Sequence, residues 1–442
     1  MSATHCIVVG GGPGGLYAGH LLKRAGISYE ILETSDRVGG RVITRERNGD
    51  RFDIGAQVYH SSYTHCLALM RELGLERRRV PVDTTTHYRM QGGRAWIQGG
   101  APWMPGLGAR GNLELWHYLV KHILFGRRLP LHRIEEVLPG DEMSVASHYP
   151  GDGESLFSQF LMPLLCAAMN VSSTDSTSMQ HLQHIFRITA FTKMFSFDEG
   201  NIVLWNELAK GLEIERNSCV TELLFEGDRV CGARIDGERT ARRADHVILA
   251  IPPDVTMRLL PASMHRRRSF FEHVPSIAQA IPVVYFNRRL DDAIVNYMGD
   301  IREGRNFVIG IDCANKVSSL VPSGKSILTL WDYHPKACEI LGASDQQIVD
   351  LALRDLTFLL PEFDRSWVED VEVVRHSYSH PPYGPGSYRR IVDFTAVENG
   401  EDGVHFVSDM FGGSYMECAL IMAEKAVDRI RAGASGEIRN DD

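Results

Sequence analysis

The chain is predicted to be an α/β protein, with a Rossmann-like nucleotide-binding domain and a second, α+β domain interleaved with it in sequence. Three observations predict this. Residues 5–33 read as strand, glycine-rich turn, helix and strand. Residues 404–430 return to strand, glycine-rich turn and helix at the far end of the chain. The 442 residues, 44% hydrophobic and 23% charged, exceed one ordinary core and supply apolar material for two.

The elements follow in order. Residues 5–9 are apolar and β-branched, the pattern of a strand buried on both faces. From Gly14 to Arg24 the apolar positions Leu16, Tyr17, Leu21 and Leu22 fall at helical spacing, and Gly26 supplies the stop. SYEILE (28–33) gives the next strand. A helix is expected in THCLALMRELGL (64–75). Between 84 and 197 longer amphipathic segments take over, including NLELWHYLVKHILF (112–125) and SLFSQFLMPLLCAAM (155–169); the first, whose polar face is not especially basic, reads as a core helix rather than a membrane-surface one. A hairpin and a short buried strand are expected over 218–251, a mixed α/β region over about 261–380, and a disordered tail over 433–442.

Composition excludes several classes. A net charge of −9 argues against nucleic acid as a partner, because phosphate binding needs a basic field. The basic run His265–Arg268 reads as a solvated helix face. Eight cysteines lie scattered with no C-x-x-C pair and no metal spacing, which suits free thiols in a reducing compartment and no metal site. No secretory signal and no membrane-length apolar run are visible, so the expected location is the cytoplasm.

The turn VGGGPGG carries G-x-G-x-x-G as Gly10, Gly12 and Gly15, where a strand becomes a helix, and Glu33 closes the next strand. Gly10 permits the tight turn, Gly12 lets the backbone approach a pyrophosphate, and Gly15 lets helix and sheet pack closely. The helix N-terminus offers N–H groups to the phosphates, and Glu33 can accept hydrogen bonds from a ribose diol. The pattern is that of a dinucleotide site, with NAD and FAD both open.

Residues 33–41, ETSDRVGGR, resemble the E-x-x-x-R-x-G-G-R extension of the flavin-containing amine oxidase superfamily, which includes monoamine and amino-acid oxidases, protoporphyrinogen oxidase and phytoene-type desaturases. FDIGAQVYH (52–60), ADHVILAIPP (244–253) and GVHFVSDMFGGSYMECALIMAEKA (403–426) resemble further segments of that family, in order along nearly the whole chain. The resemblance implies FAD. It would put Gly10, Gly12, Gly14 and Gly15 at the pyrophosphate, Glu33 at the adenosine ribose and Arg41 in the phosphate region. Gly55, Ala56 and Gln57 would run along the isoalloxazine ring, and the Val220 backbone would reach the adenine. Asp409 would bind the ribityl or pyrophosphate side, and the helix starting near Met416 would aim its N–H groups at the flavin O2 edge. It also implies an FAD-binding domain built from 1–83, 198–260 and 381–442, and a substrate-binding domain from 84–197 and 261–380.

YGPGSYRR (383–390) and GGSYMECA (412–419) resemble the two segments that each supply one aromatic residue to a cage before the flavin, here Tyr388 and Tyr415. His60 is a candidate acid/base or substrate contact. Ser387 stands where some amine oxidases carry the cysteine that attaches flavin, so FAD is expected to be non-covalent. The strand resembling QAIPVVYFNRRL (279–290) lacks the lysine that many oxidases in the family hold near flavin N5, and Ser408 replaces a family glycine. The expected activity is hydride removal from a C–N or C–C bond of a small organic substrate, with an amine or amino-acid-derived one favoured and oxygen or another acceptor taking the electrons. A desaturase or dehydrogenase of a natural-product intermediate, a redox-neutral mutase-type flavoenzyme and a non-catalytic flavoprotein are the alternatives. A homodimer is compatible with the sequence.

Overall fold

The computed structural model describes residues 4–99, 103–120, 140–148, 176–189, 192–274, 277–334, 336–398, 400–413 and 415–435. A five-stranded parallel sheet runs in the order Ile214–Glu215, Ser28–Leu32, His5–Val9, His246–Leu249, Val404–Phe406. Neighbouring strands therefore come from the start, middle and end of the chain. Cys6 to Val9 are buried at its centre, as a strand covered on both faces requires. The helix Pro13–Arg24 follows directly and packs against the helix Met416–Ser435. Both helices thus point their N-termini toward the strands' C-terminal ends, where open α/β sheets bind ligands.

A second sheet of seven strands has the order Val368–His380, Ile277–Phe286, Ile327–Asp332, Phe307–Asp312, Asn296–Gly299, Thr86–Arg89, Ala95–Gln98. It is antiparallel except where Asn296–Gly299 meets Thr86–Arg89. Alternation along Ile277–Phe286 sends its two faces to different neighbours. Ala280, Val284 and Phe286 pack on Ile348, Ala352 and Leu356 of the helix Asp345–Leu359, which a Ser344/Gln347 capping box starts. Ile281, Val283 and Tyr285 pack on Phe52 and Ile54. The second sheet therefore buries one face against the segment that leads into residues 54–57.

Several sequence expectations need correction. The stretch 84–197 contains the strands Thr86–Arg89, Ala95–Gln98 and Met194–Phe197 as well as helices. The two short strands THYR and AWIQ were hidden among polar residues; they pair with each other as a hairpin and join the sheet only because THYR pairs with Asn296–Gly299, about 200 residues away. The basic run is no plain solvated face: Arg267 is ion-paired with Glu398 (2.6 Å) and Asp402, and Arg268 donates to the carbonyls of Met257 and Leu260. The C-terminal helix continues to Ser435, into the segment expected to be disordered. The expected helix at 155–169, the second half of that at 112–125 and the last residues of the tail lie outside the described residues. No helix among the described residues is long and apolar enough to cross a membrane.

Candidate active site

The glycine turn is built by contact. Gly10 has φ +105°, and a Cβ there would meet the Ala250 carbonyl oxygen at 2.5 Å. A Cβ on Gly15 would lie 1.9 Å from the Gly10 oxygen, and one on Gly14 would lie 2.7 Å from Val407 Cγ1. These three glycines are therefore required by close packing of helix, strands and C-terminal segment. Gly12 differs: the nearest atom to its Cβ position is Gly40 Cα, 3.8 Å away. The second glycine loop lies directly against the first, with Gly39 N–H donating to the Gly11 carbonyl at 2.8 Å. Gly12 caps the helix in extended conformation with no side-chain cap, so the N–H groups of Gly14 and Gly15 are left without an intrahelical acceptor.

Glu33, nearly buried, accepts from Gly11 N–H at 2.6 Å and from the backbone N–H and hydroxyl of Ser35 at 2.9 and 2.6 Å. It braces the glycine turn as well as standing where a ribose acceptor is expected. Ser218 N–H bonds the Glu33 carbonyl at 2.9 Å, which brings the strand beginning at Val220 to the same corner. Replacing Glu33 with alanine removes an acceptor from three donors. The expected result is faster FAD loss on dilution, read as free-flavin fluorescence, and full retention would refute the assignment.

Arg41 and Asp409 meet although 368 residues apart, in a bidentate pair of 2.9 and 2.6 Å. The Arg41 guanidinium also lies 4.9 Å from the Tyr378 ring centroid, and the Tyr378 hydroxyl is buried with no hydrogen-bond partner. Ser408 holds an extended conformation (φ −157°) and its hydroxyl accepts from Met410 N–H at 3.2 Å. A family glycine is therefore dispensable there. Residues 54–57 form the next wall: a Cβ on Gly55 would sit 1.9 Å from the Arg41 carbonyl oxygen, while Ala56 N–H donates to that same oxygen at 3.1 Å.

The aromatic positions gather around Gly413, whose Cβ position is 3.5 Å from both the Tyr388 hydroxyl and the Tyr415 ring. The Tyr415 hydroxyl is buried without a partner. Its ring meets Tyr63 edge-on at 6.5 Å, and Tyr63 lies 5.4 Å from His60. Tyr388 is fully buried; His184 stacks on it at 4.9 Å, Tyr383 at 5.4 Å, and His181 Nδ1 lies 2.9 Å from its hydroxyl. Burial lowers the His60 pKa to about 4 and pushes that of His181 well down, so both imidazoles are neutral at pH 7. Sequence reasoning missed His181 and His184, which share one helical face (i, i+3), the one local signal they carry.

The helix at Met416 is anchored through Glu417, which is fully buried and accepts from His65 N–H (2.6 Å), His65 Nδ1 (2.8 Å) and Cys66 N–H (3.1 Å). The hydrogen bond to Glu417, with Glu424 adding to it against burial, raises the His65 pKa from 6.5 to about 9. Because the folded pKa is the higher, this stabilisation is complete below pH 6.5 and fades as pH rises through 9. Wild type is expected to lose on the order of 2 kcal/mol between pH 6 and 10 that His65→Gln does not lose. Chemical denaturation at both pH values measures it, and parallel pH profiles would contradict it.

These features fit a flavin dinucleotide. The Gly12 Cβ position is uncrowded, the N–H groups of Gly14 and Gly15 have no intrahelical acceptor, and orphaned buried hydroxyls mark Tyr378 beside the Arg41–Asp409 pair and Tyr415 at the aromatic group. Fold and site together define an α/β protein of the flavin-dinucleotide class. The model of the flavin containing amine oxidoreductase family matches residues 13–431, so the chain belongs to that family, which holds FAD. Flavin-containing amine oxidase A of Sus scrofa is 38% identical over 102 residues, 22% of this chain and 19% of that protein. The matched segment thus spans about a fifth of that curated relative. Among solved structures, cyclohexylamine oxidase from Brevibacterium oxydans IH-35A superposes with a TM-score of 0.75 at 16% identity, covering 98% of this chain and 100% of that one. A fatty acid isomerase from P. acnes gives 0.73 at 16%, covering 96% and 98%. At such identities these likenesses show the fold.

Proposed function

We propose that the protein is an FAD-dependent oxidoreductase that removes a hydride from the carbon beside the nitrogen of a small amine or amino-acid-derived substrate, leaving an imine. Bound FAD would supply the hydride acceptor. The single observation that carries the reading is Tyr415: a half-buried ring whose hydroxyl is buried without a partner, next to the Tyr388 hydroxyl across Gly413 and on the N-terminal side of the Met416 helix.

In this reading the N–H groups at Gly12–Gly15 and the Arg41–Asp409 pair hold the diphosphate and its neighbouring chain, and residues 54–57 back the ring. Tyr415, with Tyr388 and Tyr63 behind it, offers π faces and a hydroxyl to orient the amine. The buried imidazoles of His60 and His181 add no positive charge that would repel an ammonium. The substrate-binding part is 84–197 with 261–380, and the FAD-binding part is the remainder.

Hydride removal from a C–C bond, a desaturase reaction with an acceptor other than oxygen, is the second reading. It is favoured by the buried face of Ile277–Phe286, which presents Gln279 bonded to Asp332 (3.2 Å) and no lysine. Anaerobic mixing of the holoprotein with a panel of primary amines, amino acids and conjugatable ketones separates the two. Loss of the oxidised-flavin band with an amine supports the first reading. Bleaching by ketones alone supports the second, and bleaching by nothing in either class contradicts both.

A further inference from the structure

Lys316 closes the short helix Cys313–Lys316, on the second sheet's side of the molecule, and is 1% exposed. Its ammonium meets three oxygens: Asp53 Oδ2 at 2.7 Å, Gln57 Oε1 at 3.0 Å and the Gln57 carbonyl at 3.2 Å. Each of its three hydrogens has one acceptor, which is the full capacity of the group. The other Asp53 oxygen accepts from the Thr44 hydroxyl at 2.5 Å and from Asn201 N–H at 3.0 Å. With Oε1 fixed on the ammonium, the Gln57 amide has one orientation, and its Nε2 donates to the carbonyls of Asp53 and Gly55 at 2.9 and 3.0 Å.

Two carbonyls of this loop remain, and both are taken. His376 Nε2 is 2.7 Å from the Ile54 oxygen, and Asn201 Nδ2 donates to the Ala56 oxygen at 2.8 Å. Every carbonyl from 53 to 57 is thus committed to the protein, whereas the N–H groups of Gly55 and Gln57 have no acceptor among the described residues. A loop with its acceptors turned inward and donors uncommitted suits a neighbour on which negative charge builds. A buried ion pair is a weak source of stability compared with an apolar pair of the same size. The geometric order it imposes on the loop is the better account of its presence.

We propose that Lys316 is a positioning residue for the flavin loop: reaching from the second sheet, it locks residues 53–57 through Asp53 and Gln57, so that the Gly55 and Gln57 amides are held toward the cofactor. The proposal rests on the FAD assignment above. It makes cofactor hold depend on a residue that touches neither phosphate nor ribose.

The test titrates FAD into deflavinated wild type, Lys316→Met and Gln57→Ala, and records the melting temperature with and without FAD. Gln57→Ala keeps the ion pair and removes only the Oε1 and Nε2 bonds by which Lys316 fixes the loop, so it decides the matter even where Lys316→Met leaves Asp53 unpaired and fails to fold. The expected result for Gln57→Ala is an FAD dissociation constant raised about tenfold, with the apoprotein melting as wild type does and a smaller FAD-induced rise; Lys316→Met, where folded, shows the same loss. A merely structural role would lower apo and holo melting equally and leave affinity unchanged. Wild-type FAD affinity in Gln57→Ala overturns this proposal alone; no FAD uptake by wild type overturns it together with the cofactor assignment.

Discussion

Gly15→Ala is expected to yield protein that retains no FAD, whereas Gly12→Ala is expected to fold normally and bind FAD weakly. The two positions are three residues apart in one turn, and the difference is geometric. A methyl on Gly15 would enter the Gly10 carbonyl oxygen at 1.9 Å, a backbone atom tied into the sheet by the Gly10 N–H bond to the Leu32 carbonyl (2.8 Å). Relief requires helix and strand to part, which costs about 3 kcal/mol or more by comparison with severe overpacking. A methyl on Gly12 meets only Gly40 Cα, at an unstrained van der Waals distance of 3.8 Å, and its φ of −77° suits alanine. The protein alone has no use for a glycine there, so the loss should fall on the ligand. Thermal melting of the apoproteins with FAD titration separates them. Equal melting losses in both variants would reject the turn at Gly12 as the place of the diphosphate.

Tyr415→Ala is expected to lower kcat/KM for the best amine by about 10- to 100-fold while FAD stays bound, because in the proposed site the ring is the wall that orients the reacting carbon. Tyr415→Phe separates ring from hydroxyl. The hydroxyl is buried with no partner, so removing it should stabilise the apoprotein by about 1 kcal/mol. Turnover should fall only to the extent that the substrate uses the hydroxyl as its partner. Wild-type kinetics in Tyr415→Ala would remove Tyr415 from the site.

The parts of this molecule legible in the sequence are local. The glycine turn, its acid at 33 and the helix at 416 each depend on residues within about 30 positions of one another, and strand, turn and helix periodicities fall in the same window. The Arg41–Asp409 pair joins residues the sequence had singled out separately, and their separation of 368 positions hid the pairing. Lys316 gave no signal at all: it ends a four-residue helix in an unremarkable stretch, and its partners lie about 260 residues away. The His181–Tyr388 contact spans 207 positions and was hidden for the same reason. Those contacts arise where segments far apart in the chain are brought together, a tertiary event that no local pattern encodes.

The most direct measurement is calorimetric titration of FAD into the deflavinated protein, followed by the absorbance spectrum of the complex. One FAD per chain, with an oxidised-flavin spectrum that the best amine bleaches without air, is the predicted result. Protein that stays colourless and gives no binding heat at saturating FAD would contradict the account.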